Sequence, residues 1–390
     1  MQRRADAVAS FAKFAIALLA AACVSVPAPS ETSAPTLSQV PTVSTTTPPA
    51  PTDAPTDEPP ELAGPLDWKL IGQVPQAVNL GLHGGSAGIF ATGENADGSR
   101  AVWWSADGST WARATFDTYG EIWDMAFDGS AGVAVGCTDC YTEDARKFTA
   151  TAWSTSDGAT WNAHVLPEHP AVIKNVVHWR GGYVAVGDWP EEEGPGDTCS
   201  GVAWRSRDGV NWNAPVTIEA GRCLGGFAAT ADRLVTESGP VWSSEDGRTW
   251  SKIVGERRAE DLGLDALIGG GPGLVAMRTE CIYGIGMVRA ICHNAVSTSA
   301  SGTRWTAAAA IPALEDWRLR YRTFAALGDL IVAVGAVGDS ENSSVATSRD
   351  GLTWERTELP LDSGAVGVAA AANHVYLLTY LGCVWAGSIR

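Results

Sequence analysis

The chain has 390 residues, with 44 acidic against 27 basic residues and a formal net charge of −17. This balance excludes nucleic acid as an expected partner, because phosphate binding requires a basic face. The acidic residues are scattered along the chain, so we interpret them as solubilising surface charge rather than as a binding tail.

The N-terminus has the order of a secretion signal. Arg3, Arg4 and Lys13 supply positive charge, an apolar run covers residues 14–19, and three alanines precede Cys23. The run is too short to span a bilayer. We predict a lipoprotein signal peptide over residues 1–22 and lipidation of Cys23. An ordinary cleaved signal with an incidental cysteine is the alternative, because a lipobox usually carries leucine where this sequence has alanine.

Residues 23–65 are predicted to form a disordered tether. Residues 24–65 contain 11 Pro and 13 Ser or Thr, and no aromatic, Lys or Arg residue. Such a segment lacks the apolar surface that offsets the entropy of ordering, and its prolines make it stiff and extended. We therefore expect an exported protein, held on the cell envelope by a lipid and a stalk.

Seven cysteines follow Cys23. An exported chain can form disulfides, and proximity in sequence predicts the pairs Cys137 with Cys140, Cys199 with Cys223, and Cys281 with Cys292. Cys383 is left over, and we interpret it as a buried free thiol. Cys137-Thr-Asp-Cys140 has neither a second CxxC nor a histidine pair at ligand spacing, so we predict no metal and no cofactor.

From residue 66 to residue 390 the chain repeats a Ser/Thr-x-Asp-Gly-x-x-Trp phrase. Successive closing tryptophans, including that of a worn copy ending at Trp305, are 50, 51, 38, 55 and 49 residues apart. This period suits four short strands per unit, as in a propeller blade. Ser, Thr and Asp fold back on backbone amides and Gly adopts the left-handed conformation, so each phrase predicts a hairpin turn. The complete copies carry Asp107 and Trp111, Asp157 and Trp161, Asp208 and Trp212, Asp246 and Trp250, and Asp350 and Trp354.

The two ends of this region predict how a ring would close. Segments 374–380 and 383–386 resemble a second and a third strand, but the chain stops before a fourth. The segment beginning at Trp68 resembles a fourth strand and would complete that blade, which removes the exposed sheet edges of an open array. We therefore predict an all-β, seven-bladed β-propeller over residues 66–390, whose last blade is closed by N- and C-terminal strands.

The repeated phrases resemble the Asp-box, or BNR, repeats of sialidases and their non-sialidase relatives. The resemblance implies that the aspartates serve the turn between the third and fourth strands, on the face opposite the functional site. It also implies that a sialidase site would hold the substrate carboxylate with three arginines. A Tyr with a Glu partner would be the nucleophile, and an Asp would be the acid/base. However, the stretch that would carry the family's Arg-Ile-Pro phrase, residues 74–80, has no arginine, and sialidase domains typically have six blades. We therefore expect no sialidase activity.

Propeller ligands favour the face formed by the loops between strands two and three and between blades. The sequence places segments 138–147, 188–197 and 314–322 there. The last combines aromatic rings with cations, which suits a sugar or an anion, although an ordinary inter-blade loop is the alternative. The candidate binding residues are Trp317, Arg318, Arg320, Tyr321, Trp189 and Tyr141.

Other candidate chemistries are weaker. Glu191, Glu192 and Glu193, with Asp188 and Asp197, offer oxygen ligands, but without the spacing of a calcium loop. The six histidines fall in different blades without a visible nucleophile, so a hydrolase triad has no support. Convergence of three among Arg180, Arg222, Arg278 and Arg322 at the central channel, beside a Tyr and a Glu, would favour an enzyme.

We therefore predict a monomeric, non-catalytic, surface-anchored propeller that binds a glycan, a peptide or an envelope protein. The alternative is a divergent glycoside hydrolase of the sialidase-like kind. A third hypothesis, an assembly factor for a protein complex, rests on the fold alone.

Overall fold

The computed structural model describes residues 65–389 except 76–77, 86–87, 96–98, 141–147, 168–170, 191–198, 238–239, 254–265, 272, 283–290, 316, 338–342, 360 and 362. The predicted signal peptide, Cys23 and nearly all of the tether lie outside these residues. Within the described part, no helix is long and apolar enough to cross a membrane.

The described residues form seven antiparallel blades, as the repeat predicts. Blade 1 comprises β2 (Val78–Gly85), β3 (Gly88–Glu94), β4 (Arg100–Ser105) and β5 (Ala112–Arg113). Blade 2 comprises β7 (Glu121–Asp128), β8 (Ala131–Thr138), β9 (Thr149–Thr155) and β10 (Thr160–Val165). Blade 3 comprises β11 (Val172–His178), β12 (Tyr183–Pro190), β13 (Cys199–Ser206) and β14 (Val216–Glu219). Blade 4 comprises β15 (Phe227–Ala229), β16 (Leu234–Glu237), β17 (Val241–Ser244) and β18 (Ser251–Lys252). Blade 5 comprises β19 (Ala266–Gly270), β20 (Gly273–Ile282), β21 (Ile291–Ser299) and β22 (Ala309–Ala310). Blade 6 comprises β23 (Trp317–Leu327), β24 (Leu330–Val337), β25 (Ser343–Ser348) and β26 (Glu355–Glu358), preceded by a 3₁₀ turn at Pro312–Leu314.

The seventh blade is built from both ends of the domain, and the predicted closure is confirmed. It contains β27 (Ala365–Ala371), β28 (His374–Thr379), β29 (Cys383–Ile389) and, as its fourth strand, β1 (Leu66–Gln73). β1 pairs antiparallel with β29 along its length, with Leu70 opposite Trp385. The first strands of the blades contact one another in order, from β2 round to β27 and back to β2. The blades therefore form a closed ring.

The apolar core lies between blades rather than within one centre. The buried residues form seven clusters, and each cluster takes its members from two neighbouring blades. Between blades 1 and 2, for example, Phe90 and Val102 pack with Trp153 and Trp161, and both tryptophans are 0% exposed. Because each sheet buries both faces against its neighbours, the strands are apolar at successive positions rather than strictly alternating.

Each Ser/Thr-x-Asp-Gly segment forms the same tight structure, which we call an aspartate turn. In the complete copies, the Ser or Thr hydroxyl donates to aspartate Oδ1 at 3.0–3.2 Å and accepts the glycine N–H at 2.8–2.9 Å. Oδ1 also accepts the N–H groups of the two residues after the glycine, at 2.6–3.0 Å. The predicted hairpin turns and their structural aspartates thus have a complete hydrogen-bonding basis.

The closing tryptophans cover these turns. The indole N–H groups of Trp111, Trp161, Trp212 and Trp354 each donate to the carbonyl of the turn glycine, at 3.0–3.1 Å. Trp250 packs at the interface of blades 3 and 4, and its buried indole N–H has no acceptor among the described residues.

The glycine of each aspartate turn also seats its blade against the preceding one. Its φ lies between 71° and 77° in the complete copies, a region that disfavours side chains. An added Cβ at Gly108, Gly158, Gly209, Gly247, Gly302 or Gly351 would lie 2.4–3.1 Å from a side chain on the second strand of the preceding blade. Two separate constraints therefore require glycine at this position: the positive φ of the turn and the close contact between blades.

The strand after the first aspartate turn is shorter than the sequence suggests. The segment from Trp111 to Phe116 resembles one strand in sequence, but β5 ends at Arg113 and β6 (Thr115–Phe116) pairs in parallel with β10 of blade 2. The Phe116 ring stacks on Trp161, with 5.5 Å between centroids and 3° between planes. Directly after the short fourth strand of blade 1, the chain therefore crosses to the outer edge of blade 2, where this aromatic pair packs.

The worn copy, the fifth of six along the chain, keeps the turn without the carboxylate. Gly302 has φ 76° and donates its N–H to Ser299 Oγ at 2.9 Å. At the aspartate position, Ser301 Oγ accepts a long 3.3 Å bond from the N–H of Thr303 and shares a 2.8 Å hydrogen bond with the Thr303 hydroxyl. The turn is therefore preorganised for a carboxylate that the sequence does not supply.

We predict that Ser301→Asp raises the free energy of unfolding by about 1 kcal/mol, the usual net contribution of one added hydrogen bond. Asp350→Ser, the reverse change in an intact copy, should lower it by a similar amount. Ser301→Asn is the matched neutral control and should gain less. Chemical denaturation of the three variants checks this, and no gain from Ser301→Asp would contradict the role assigned to the carboxylates.

The aspartate turns also predict acid sensitivity. The N–H groups of Thr110 and Ser109 lower the pKa of Asp107 from 3.8 to about 2, and the N–H of Thr353 is the main cause that brings the pKa of Asp350 to about 2. Because these pKa values are lower in the folded state, their stabilisation is complete above pH about 4 and is lost as the pH falls through about 2. When the free energy of unfolding is measured from pH 6 to pH 2, most of its decrease should therefore occur below pH about 4. A curve that stays flat in that interval would show that these bonds contribute nothing.

Candidate functional site

The ring has two faces with different chemistry. Since successive strands of a blade are antiparallel, the turns between strands one and two and the aspartate turns share one face, which we call the turn face. The connections between strands two and three, and from each blade to the next, share the other, which we call the loop face. These are the two sides that the sequence separated into a structural and a ligand-binding face.

Polar side chains on the turn face hold the blades together. Arg180, in the turn between β11 and β12, donates to the carbonyls of Ala231, Asp232 and Glu245 in blade 4 at 2.9–3.2 Å. Its guanidinium also lies over the Trp179 ring, 4.5 Å from the centroid. Its hydrogen-bonding capacity is therefore directed at the backbone of the neighbouring blade.

The arginines that would define a sialidase-like site do not all converge. Arg180 lies on the turn face, whereas Arg222 is exposed in the connection from β14 to β15, on the loop face. Arg278 is exposed within β20. The side chain of Arg322 lies outside the described residues. Arg180 and Arg222 on opposite faces cannot grip one carboxylate, so a triad that includes both is excluded.

The predicted stacking residue Trp317 is not a surface residue. It is the first residue of β23, is 0% exposed, and belongs to the core between blades 5 and 6. Its indole N–H donates to Ser344 Oγ at 2.9 Å, and its carbonyl accepts from the Asn294 amide at 2.7 Å. The prediction of a binding role for Trp317 is therefore wrong, because the ring is needed for packing.

Segment 314–322 is also not the loop that we expected. From Trp317 onward it is strand β23, which pairs with β24 and has an irregularity between Leu319 and Phe324. The side chains of Arg318, Arg320 and Tyr321 lie outside the described residues, so their proposed contact with a ligand stays a prediction. The same holds for Tyr141.

Trp189 and Asp188 lie at the end of β12 rather than in a loop. Trp189 is partly buried against the core between blades 2 and 3. The carboxylate of Asp188 is 6% exposed, forms an ion pair with Lys174, and accepts the N–H of Leu224 at 2.7 Å. It joins blade 3 to the connection leading into blade 4, which opposes its assignment as a cation ligand. Glu191, Glu192, Glu193 and Asp197 lie outside the described residues.

Two of the predicted disulfides are confirmed, Cys137 with Cys140 and Cys199 with Cys223. The sulfurs of Cys199 and Cys223 lie near the Asp188 carboxylate, but they are bonded to each other and so are not metal ligands. Cys281 and Cys292 are direct neighbours in the pairing of β20 with β21, and their side chains lie outside the described residues. Their bond remains a prediction.

The expectation of a free thiol at Cys383 is wrong. Cys383 is 1% exposed and forms a disulfide. Its partner lies outside the described residues, because the two described disulfides do not include it. A Cys281–Cys292 bond together with lipidation of Cys23 would leave Cys383 no partner, so these two predictions do not hold together. The error arose because pairing by proximity in sequence left this residue without a neighbour.

The loop face carries a cleft of about 210 Å³ between blades 1 and 2. It is lined by the end of β3, the start of β4, the connection after β6 and the start of β7. The side chains that matter for chemistry are Thr92, Arg100, Phe116, Tyr119 and Glu121. The cleft therefore draws its groups from two blades that are adjacent in space.

Arg100 is the centre of the charge arrangement at this cleft. Its guanidinium lies 3.0 Å from Glu94 Oε1, in the same blade, and 3.6 Å from Glu121 Oε1, in the next blade. The side chains of Arg100 and Glu121 are each 31% exposed, so both are accessible to a ligand. Since an arginine stays ionised and presents several donors, Arg100 holds two carboxylates at one point.

An aromatic rim lies beside these charges. The Tyr119 ring is 49% exposed and lies 5.9 Å, centroid to centroid, from the buried ring of Phe116. The connection that carries Tyr119 is fixed because the indole N–H of Trp153 donates to Thr118 O at 2.7 Å. Gly120 permits this path, since a Cβ there would lie 2.4 Å from Cys137 O. Tyr119 and Glu121 are therefore presented from a backbone with little room to shift.

Sequence reasoning selected the loop face but did not select this cleft. Arg100 follows a strand-two-to-three connection, and Tyr119 and Glu121 flank the entry into the next blade. Both signals were present, yet they are about twenty residues apart and become neighbours only once the blades are counted. The candidate loops were instead selected for their length and aromatic content.

No protein-family model matches the chain, and no curated protein matches it in sequence. Among solved structures, the chain is similar to YCF48 bound to D1 peptide, with a TM-score of 0.52, 16% identity, and coverage of 84% of this chain and 98% of that one. It is also similar to selenomethionine-substituted virginiamycin B lyase from Staphylococcus aureus, with a TM-score of 0.54, 9% identity, and coverage of 83% and 100%. A catalytically inactive variant of that lyase with quinupristin has a TM-score of 0.56 and 8% identity, and the match covers 83% of this chain and 100% of that one. At these identities, the similarity shows the propeller fold alone.

The two confirmed disulfides should differ in their contribution to stability. Cys199 and Cys223 are separated by 24 positions and Cys137 and Cys140 by 3. The chain-entropy relation gives about 3.5 kcal/mol for the longer loop and about 2 kcal/mol for the shorter. We expect Cys199→Ser/Cys223→Ser to lower the unfolding free energy more than Cys137→Ser/Cys140→Ser, as measured by denaturant titration without reductant. The reverse order would show that loop closure does not govern these bonds.

Proposed function

We propose that the chain is an exported, non-catalytic binding module that uses the cleft on the loop face to bind a peptide segment of a protein partner. One observation carries the proposal. The cleft brings a partly exposed arginine, a partly exposed glutamate and an exposed tyrosine together on a fixed backbone. Aromatic and arginine side chains at a rigid site are typical of the residues that dominate protein interfaces.

The class of partner follows from the fold and the site together. A propeller of similar fold, YCF48, has been solved with a peptide bound, and we carry only that class of ligand over to this chain. A glycan remains the second ligand class that an exposed tyrosine beside charged groups would suit. The aspartate turns, which we infer to be Asp boxes of the BNR type, would then serve only the scaffold.

The leader and tether support the proposed location. A lipid on Cys23 and the Pro-rich segment after it would hold the propeller on the cell envelope, where a partner in the same layer is accessible. We propose a monomer, because the ring closes on its own C-terminal strand and needs no second chain to complete a blade.

The charge arrangement argues against the alternative, a glycoside hydrolase. A glycosidase needs one carboxyl group protonated and a second one ionised across the sugar. At this cleft, Glu94 and Glu121 both pair with the guanidinium of Arg100, so both carboxylates are directed at one cation. That pairing suits recognition better than acid catalysis.

The proposal predicts that a photoreactive amino acid at position 119 of the full chain captures discrete partners in envelope preparations of the source organism. The same residue at position 352 is the control, because Leu352 is 44% exposed but lies in an aspartate turn on the opposite face. Mass spectrometry of the cross-linked products checks the prediction.

Capture from position 352 but not from position 119 would refute the proposed face. Release of fluorogenic glycosides, including a sialoside, by the full chain and its loss in Glu121→Gln would instead support the hydrolase.

A further inference from the structure

The size of the cleft limits what can enter it. Sites for small molecules and cofactors usually enclose about 300–1,000 Å³, whereas this cleft has about 210 Å³. It is open to solvent at the loop face and bounded by Tyr119 and Glu121 on one side and by Arg100 on the other. Such a space fits one amino-acid side chain rather than a cofactor or an oligosaccharide.

The described charges at the cleft favour a cation. Among the described residues, the Glu94 and Glu121 carboxylates share the Arg100 guanidinium, so these three side chains together carry one net negative charge. Glu121 is the more loosely held of the two, at 3.6 Å against 3.0 Å, and its side chain is 31% exposed. An incoming ammonium or guanidinium group could reach Glu121 without displacing the closer pair of Arg100 with Glu94.

The aromatic rim suits the rest of such a side chain. The methylene stem of lysine or arginine can lie along the exposed Tyr119 ring, and the charged end gains from the face of an aromatic ring. At longer range, the net charge of −17 draws cationic ligands toward the protein. Size, local charge, aromatic surface and overall charge therefore agree.

We infer that the cleft between blades 1 and 2 is a specificity pocket that takes one basic side chain, lysine or arginine, of the bound peptide. Its charged end pairs with Glu121, and its stem packs on Tyr119. This inference rests on the proposed peptide-binding function, and it adds the chemical identity of the residue that the partner must present.

The test uses the full chain and a set of benzophenone-labelled peptides that are identical except at one central position. That position holds arginine, its neutral analogue citrulline, lysine, its apolar analogue norleucine, or glutamate. We expect covalent capture, followed by quantitative mass spectrometry, to favour arginine over citrulline and lysine over norleucine by about tenfold, which corresponds to one charge-assisted hydrogen bond at a partly exposed site. The preference should weaken at high salt.

Two substitutions of opposite sign separate recognition from damage to the fold. Glu121→Gln should remove the preference for basic peptides, whereas Arg100→Gln should increase it, because it removes the cation that competes for Glu121. Glu355→Gln, on the exposed outer strand of blade 6, is the matched control and should change nothing. Loss of structure cannot produce an increase in one variant and a decrease in the other.

The possible outcomes distinguish this inference from the proposed function. Capture that is equal for charged and neutral peptides, or unaffected by Glu121→Gln, would overturn the basic pocket and leave peptide binding intact. Preference for glutamate, strengthened in Glu121→Gln, would show that Arg100 takes an acidic residue instead. Capture of none of the peptides, together with no partner cross-linked from position 119, would overturn both.

Discussion

The contact between each turn glycine and the preceding blade is the constraint on which this ring depends. In six successive turns a glycine with positive φ lies against the second strand of its neighbour, at a distance that excludes a Cβ. The aspartate fixes the shape of the turn, and the glycine sets how closely two sheets can approach. Because the apolar clusters form between blades, this spacing also determines how the core packs.

This use of one face for assembly directs function to the other. Ser, Asp and Arg side chains on the turn face are engaged by backbone groups of their own turn or of the next blade. Little of their hydrogen-bonding capacity is left for a ligand. On the loop face, the connections vary in length and the blades meet without a repeated motif. Arg100, Glu121 and Tyr119 can therefore be placed by packing at one seam without disturbing the other blades.

The fold was largely predictable from the sequence, and the site was not, for a physical reason. An aspartate turn is local, so each copy can be recognised by its own residues, and their spacing predicts the blades. The incomplete last unit and the strand-like segment at Trp68 predict the closure, in which the structure pairs Trp68 with Gly387. The cleft depends on which ends of two blades become neighbours, which no local pattern records. Trp317 was misassigned because a tryptophan beside arginines looks the same whether it faces solvent or the core. Cys383 was misassigned because disulfide pairing follows distance in space rather than in sequence.

The direction in which the first strand enters the ring has a geometrical consequence. Leu66 is opposite Ile389, at the end of β29 that lies on the side of the aspartate turns, and β1 runs from there toward the opposite side. The chain therefore enters the disc at the rim of its structural side. The mouth of the cleft opens on the other face, so a ligand on the loop face does not meet the point at which the chain enters.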